Sequence, residues 1–418
     1  MEKESVKRSD AGSKGFWTLR YTLLNATYFI AFCTIHAYAA VYLLANGFSN
    51  TEVGVLLAVA NIISAVFQPF IAGVIDRPGP LTNRRFILIS VMIILVGSII
   101  LWAVPCGKIA VFIIYALIYM IQFAYQPVMT ALCFEYQKAG CNIFYGLARG
   151  LGSASFAVTA AIIGGLVERN GVTLLLIVNI ATMLMSAILI FTFRIPSLEK
   201  EAASDAGTDT KNDVAGLIHN SLSSFAHAYP AFMLFLIATI CFFFAHNMIN
   251  DFMIQIIRSL GGGETELGYA NFLQAILELP VMALIGIVLK KISSDKLLII
   301  SGVAFFIKIL ILVFTVNMAM MYLSQSFQLF AYAIFIPAAA YYVNSHMTEC
   351  DQVKGQAYVT SAITIGGVFS NLISGVILDN IGIKAMLITG STVCAVGVII
   401  VFIAFGVRTD DKGKQDAA

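Results

Sequence analysis

The sequence predicts an all-α integral membrane protein of twelve transmembrane helices, arranged as two six-helix pseudo-symmetric halves. Three observations carry that expectation. The 418 residues are 59% hydrophobic and only 11% charged, whereas a soluble domain carries about 25% charged residues, so the solvent of this chain is mostly lipid. Apolar runs close to the roughly 20 residues that a spanning helix needs recur twelve times. A polar stretch divides these runs six and six, and the two sets share a gapless internal repeat.

In chain order the segments fall near 17–46, 51–75, 86–105, 109–135, 144–168 and 172–193, then 230–258, 265–289, 296–316, 319–347, 357–378 and 383–406. The first is far longer than the 7–15 apolar residues of a cleavable leader, so it reads as a span. Segments 11 and 12 are joined by the short hairpin "DNIGIK". The polar stretch "SLEKEAASDAGTDTKNDVAG" (197–216) has no apolar periodicity and reads as a flexible linker. The expected organisation is an N-terminal half over 1–196, a cytoplasmic linker over 197–224 and a C-terminal half over 225–418. Lysine and arginine set the orientation: twenty fall on one side of the membrane, together with both termini, and four on the other. That side is cytoplasmic, in a plasma membrane of the bacterial inner-membrane type.

Composition also excludes. A formal net charge of +2 gives no reason to expect nucleic acid. The seven cysteines (33, 106, 133, 141, 241, 350 and 394) show no zinc-type or redox spacing and read as small packing residues. With no Ser/His/Asp constellation, metal cluster or Gly-rich phosphate loop, an enzyme is not expected, and neither is a cofactor or a bound metal. The expected partners are the bilayer, a small-molecule solute and protons, with the chain a monomer.

The repeat is the most informative internal signal. "YGLARGLGSASFAVTAAIIGGLVERNG" (145–171) aligns without a gap on "QAYVTSAITIGGVFSNLISGVILDNIG" (356–382), placing Glu168 on Asp379, Gly164 on Gly375 and Gly171 on Gly382. At a nearly equal offset His36 falls on His246, and "NTEVGVL" (50–56) resembles "ETELGYA" (264–270). Parallel six-helix repeats describe a transporter that rocks one half against the other around a midplane site.

Charges inside apolar segments are costly and mark sites by default. Glu278 lies mid-segment 8 in "LQAILELPVM", Lys308 mid-segment 9 in "VAFFIKILIL", Arg149 opens segment 5, and Asp251 sits in "HNMINDFMIQ" of segment 7. Two acids balance two bases. On one reading Glu278 or Asp251 takes up a proton beside Lys308; on the other, Glu278 and Lys308 form a permanent ion pair locking segments 8 and 9. Arg149 either binds solute or snorkels to the inner surface. His36 and His246 read first as core residues, with interest raised by their symmetric placement. Asn247, Gln274 and Gln328 could bond a hydroxylated solute or simply neighbouring helices. Tyr28 and Phe156, like the other aromatics, read as packing or as stacking surfaces. The glycines of segment 5 (146, 150 and 152, with 164 and 165) read as close-packing faces.

The hairpin "GVIDRPGPLTNRRF" (73–86) places Gly73 for close helix approach, Asp76 for pairing, and Arg77 with Arg84 and Arg85 inside. It resembles the loop signature of the major facilitator superfamily: a glycine, Asp-Arg, then paired basic residues. Its counterpart "GIVLKKISSDK" (286–296) keeps only the glycine and the basic charge. The chain further resembles the lactose-permease-like branch, which holds proton symporters for oligosaccharides, nucleosides and phenylpropionate. "FYGLARGLGSASF" (144–156) looks like its segment-5 start, which implies sugar-type binding by Arg149 and stacking by Phe156. "LLIISGVAFFIKIL" (297–310) resembles segment 9, implying a proton-release role for Lys308, and "LGYANFLQAILE" (267–278) resembles segment 8. The chain departs from that branch where a segment-4 glutamate should pair with the segment-5 arginine: Thr130 and Ala131 stand there, with Glu135 further toward the cytoplasm. Gln328 and Ala331 replace the segment-10 histidine and proton-carrying glutamate. Lactose specificity is therefore not implied, and Glu278 is the substitute proton site. The function expected is a proton-coupled symporter importing a small polar solute of the sugar or nucleoside type. The alternatives are a proton antiporter exporting drugs or metabolites, and a non-transporting membrane sensor.

Overall fold

A computed structural model describes residues 14–75, 81–194 and 222–415. Every regular element among them is helical. The helices are α1 (Lys14–Phe32), α2 (Ala39–Ala45), α3 (Asn50–Ile75), α4 (Asn83–Ala103), α5 (Lys108–Lys138), α6 (Tyr145–Asn170), α7 (Thr173–Thr192) and α8 (Leu222–Ala228). They continue with α9 (Pro230–Asp251), α10 (Met253–Ser259), α11 (Glu264–Val288), α12 (Ser294–Val313), α13 (Met318–Ser326), α14 (Tyr332–His346), α15 (Glu349–Asn380) and α16 (Ile383–Gln415). By length and composition ten helical stretches can cross a membrane, and eleven when Phe16–Ala37 and Ala39–Ala45, bent by 50°, count as one. α11 fills the remaining expected segment with 25 residues, about 37 Å at the helical rise. Large apolar side chains such as Val66, Phe70, Ile162, Ile188 and Phe402 point outward, as lipid solvation allows.

Three expected spans are interrupted rather than continuous. Segment 1 passes from α1 through a π-helical turn, Cys33–Ala37, into α2. Segment 7 breaks at Phe252 between α9 and α10. Segment 10 breaks through a 3₁₀ turn, Phe327–Leu329, between α13 and α14. Within lipid, backbone groups freed at such breaks need partners from neighbouring helices. The Ser301 hydroxyl donates to the Ala331 carbonyl at 2.7 Å, beside the α13–α14 break.

The chain divides into two compact units. Unit 1 takes residues 1–48 and 59–210, and unit 2 takes 49–58 and 211–418. In unit 1, α1 packs on α6 and α7, and α4 on α5 and α7. In unit 2, α9 packs on α15 and α16, and α12 on α14 and α16. Helix ends carry local stops and caps. Gly171 and Gly382, paired by the repeat, end α6 and α15 with φ of 84° and 107°, a left-handed conformation that favours glycine. The Glu266 carboxylate accepts from the Gly263 N–H at 2.7 Å at the start of α11. Arg84 donates to the Ile190 and Phe191 carbonyls at 3.0 and 2.9 Å, satisfying the end of α7.

The first turns of α3 are held within unit 2 by Asp379, at the end of α15. Its carboxylate accepts from the backbone N–H groups of Asn50 (3.1 Å) and Thr51 (2.7 Å) and from their side chains (2.8 and 2.6 Å). Gln255 donates to Asn50 Oδ1 at 2.9 Å. Glycines bring the two backbones together: a Cβ at Gly375 would lie 2.5 Å from the Asn50 carbonyl oxygen, and one at Gly54 would collide with the Asn371 carbonyl.

Two expectations about glycine change here. Among the described residues nothing lies within 4 Å of where a Cβ at Gly73 would stand, because this last turn of α3 presents Gly73 on an exposed face. Asp76 and Arg77 lie outside the described residues. Gly146 and Gly150 likewise face open space, whereas Gly152 packs against Phe29.

Candidate functional site

In unit 2 the break in segment 10 turns two glutamines into a buried polar layer. Lys308, on α12, is fully buried, and its ammonium donates to Gln328 Oε1 at 2.7 Å. The other end of the same amide, Nε2, donates to Glu278 Oε1 on α11 at 2.9 Å. A primary amide has a carbonyl that suits a cation and an NH₂ that suits an anion, so Gln328 fits between the two charges in this one orientation. Ser324 fixes the lysine's backbone by donating to the Lys308 carbonyl at 2.7 Å. About one turn along α11, Gln274 donates to Gln325 Oε1 at 3.0 Å, leaving the buried Gln325 Nε2 without a partner. Glu278 is only half-buried, whereas Lys308 is sealed.

The remaining unit 2 candidates form a neighbouring patch on α9. His246 stacks on Tyr332 at 5.1 Å with the ring planes 12° apart, and its Nε2 lies 2.9 Å from the Asn250 amide. The Asn247 amide sits against Gly367 of α15, 2.7 Å from where a Cβ would stand. Asp251 is half-buried, with the buried Asn371 amide as its side-chain partner.

In unit 1 the π-helical turn inserts one extra residue into segment 1, and such turns occur frequently at functional sites. His36 lies in this turn with its ring between Phe32 (3.9 Å, 11°) and Tyr119 (3.8 Å), and Phe123 stands edge-on at 4.5 Å. Both imidazole nitrogens are buried. Gln122 lies beside it and begins a polar chain through α5, α7 and α4: Gln122 donates to Asn179 (3.4 Å), which donates to Ser98 (2.7 Å).

Arg149 lies on the same side of unit 1. Its guanidinium covers the Phe29 ring at 4.4 Å and donates to Ser153 Oγ at 2.6 Å. Ser153 stands one turn further along α6. Phe156 is half-buried, 6.4 Å from Phe32. Tyr28 is fully buried, and its hydroxyl donates to the Gln122 carbonyl at 3.1 Å.

Thus Glu278, Gln328 and Lys308 come together in one unit, and Arg149, Phe156 and His36 gather along one aromatic face in the other. Gln328 joins the charges and has no amide group left facing open space. The sequence reading missed Gln122, Asn179, Ser153, Gln325 and Asn371. Their one signal was a polar side chain inside an apolar segment.

The sequence profile of the MFS_1 like family matches residues 19–388. No curated protein matches the chain. Among solved structures, the nucleoside transporter NupG is similar with a TM-score of 0.77 and 14% identity, covering 94% of this chain and 98% of that one. The peptide transporter POT in complex with sulfate gives 0.69 and 11% identity, covering 98% of each chain. A bacterial homolog of the human lysosomal transporter Spinster gives 0.62 and 14%, covering 94% and 96%. At these identities the likeness shows the fold.

Proposed function

The chain belongs to the MFS_1 like family, and from that premise we propose that this integral membrane transporter is a proton-coupled symporter importing a small polar solute by alternating access. Sugars and nucleosides are its neutral candidates. The similarity to NupG, described as a nucleoside transporter, supports that class. Glu278 carries the coupling proton, with Lys308 held as its counter-charge through Gln328; Asp251, half-buried beside Asn371, is the second acid on the pathway. Arg149, Phe156 and His36 are the solute-binding candidates of unit 1, and Asn247 and Gln274 those of unit 2. The termini face the cytoplasm of an inner-membrane-type bilayer, and the chain works as a monomer without cofactor or catalytic step.

The observation that carries this reading is the Lys308–Gln328–Glu278 chain. A full charge taken out of water in lipid costs about 2.5–3.5 kcal/mol or more, and this chain keeps two of them apart across a neutral amide instead of omitting both. A symporter needs a carboxylate that can lose its charge while its neighbour keeps one. The test is uptake into proteoliposomes over a solute panel, with and without an imposed pH gradient. Glu278→Gln should abolish uphill accumulation while sparing exchange of solute across equal concentrations. Uphill accumulation at the wild-type rate by that variant refutes the assignment, and solute efflux driven by an inward proton gradient favours the antiporter instead.

A further inference from the structure

Segment 7 is broken where its first helix ends on an acid. α9 stops at Asp251, Phe252 stands at the break, and α10 starts at Met253. A helix C-terminus carries partial negative charge and leaves carbonyls of its last turn without helical donors. Asp251 adds a full negative charge to that end. Among the described residues no basic side chain pairs with it; its side-chain partner is the neutral Asn371 amide. Asp251 is half-buried, and a charge taken partly out of water is tolerated when something compensates it.

α15 brings buried oxygens to this end of α9. The two helices keep one register within unit 2: Gly366 lies against Phe243 and Phe244, Gly367 against the Asn247 amide, and Asn371 against Asp251. Ser374, three residues beyond Asn371, shares its side of α15. Both are fully buried, and the Ser374 hydroxyl makes no hydrogen bond among the described residues. Segment 7 adds two amide oxygens in the same state. Asn250 Nδ2 meets His246 Nε2 and Gln255 Nε2 donates to Asn50 Oδ1, both at 2.9 Å, whereas Asn250 Oδ1 and Gln255 Oε1 are buried without a hydrogen bond. Buried polar atoms are paired as a rule. Unpaired neutral oxygens within about a turn of an uncompensated carboxylate are what a hard cation needs.

We propose that this break binds a monovalent cation of the sodium class. The Asp251 carboxylate is its charged ligand, Asn371 Oδ1, Ser374 Oγ and the freed carbonyls of α9 are its neutral ones, and Asn250 and Gln255 border it. The NH₂ of the Asn371 amide is the end that donates to an ionised carboxylate, which leaves Oδ1 for the ion. Interrupted membrane helices coordinate sodium through the C-terminal ends of their half-helices. One carboxylate balances one positive charge, whereas calcium takes about six to eight oxygens and would carry an excess. Softer transition metals do not suit an all-oxygen set, and among the described residues no group of three or more His, Cys, Asp or Glu is placed to hold one. Zinc-type spacing in a sequence does not report such a site, because an alkali ion needs neither cysteine nor histidine. The ion is exchangeable and not a resident cofactor. The inference goes beyond the transport reading, in which Asp251 is only a second acid, and it leaves the coupling proton on Glu278.

Binding is read on the full-length purified chain with radiolabelled sodium, at an ionic strength held constant by choline chloride, and by thermal shift. Sodium should bind saturably as a single class of sites and raise the melting temperature; choline should do neither. Asp251→Asn should abolish saturable binding and the sodium-dependent shift. Asn371→Ala and Ser374→Ala should each weaken binding roughly 10–100-fold, the usual cost of removing a group that supports a bound metal. A purely structural aspartate would change the melting temperature without changing its response to sodium. The proposal is overturned if sodium binds no better than choline, if Asp251→Asn keeps the wild-type affinity, if binding is lost in Glu278→Gln instead, or if calcium binds more tightly than sodium. Should Asp251→Asn fail to fold, Asn371→Ala and Ser374→Ala decide, and wild-type affinity in both overturns the proposal. Proteoliposome uptake separates the two readings. Sodium binding without solute uptake would overturn transport and leave this inference standing, whereas proton-driven uptake by a chain that binds no sodium would do the reverse.

Discussion

Removing Lys308 and Glu278 singly and together measures what Gln328 transmits between them. The 2.7 and 2.9 Å bonds flank a single amide whose oxygen and nitrogen lie about 2.3 Å apart, so the two charges are separated by at most about 8 Å. At an effective dielectric near 20 that distance corresponds to about 2 kcal/mol of attraction. Lys308→Met should cost about 3–5 kcal/mol, because it leaves an acid whose buried partner has gone. Glu278→Gln strands the fully buried ammonium and should also destabilise. The double variant removes both charges, so its loss should fall short of the summed single losses by about 2 kcal/mol or more. Unfolding in mixed micelles, followed by tryptophan fluorescence and helical circular dichroism, reads the three differences. Independent sites add to within about 0.5 kcal/mol; additivity at that level would mean that Gln328 does not couple the pair, and the proton-site argument would lose its counter-charge.

Two further substitutions probe other links. Asp379→Ala removes four acceptor contacts from the start of α3; a lost helix cap costs about 0.5–2 kcal/mol, so amide exchange at Asn50 and Thr51 should quicken roughly 3–30-fold while residues 60–75 keep their rates. Unchanged exchange at those two amides would show that the carboxylate does not hold them. His36→Phe keeps a ring between Phe32 and Tyr119 and removes two buried ring nitrogens whose polar neighbour is Gln122. Burying a polar group in poor hydrogen-bond geometry costs about 1–3 kcal/mol, so the variant should melt at or above the wild-type temperature while binding solute more weakly; a clear drop in melting temperature would mean that the Gln122 contact holds the imidazole in place.

The sequence alone determined the membrane class, the twelve segments, the repeat and the list of buried charges. These follow from composition and period: a helix that crosses lipid must be long and apolar, and every ionisable residue within it stands out. The repeat even paired Gly171 with Gly382, and both follow their helices at positive φ. Tertiary structure decided which of those residues meet. Sequence spacing cannot place Gln328 between Lys308 and Glu278, because the three sit on different helices and the break at Phe327–Leu329 sets the angle of the glutamine. Nor could it foresee that Arg149 bonds Ser153 and covers Phe29, or that Tyr28 is sealed. Each of these depends on the neighbour across a helix interface, and a one-dimensional pattern carries the depth of a side chain in the membrane but not the identity of what faces it.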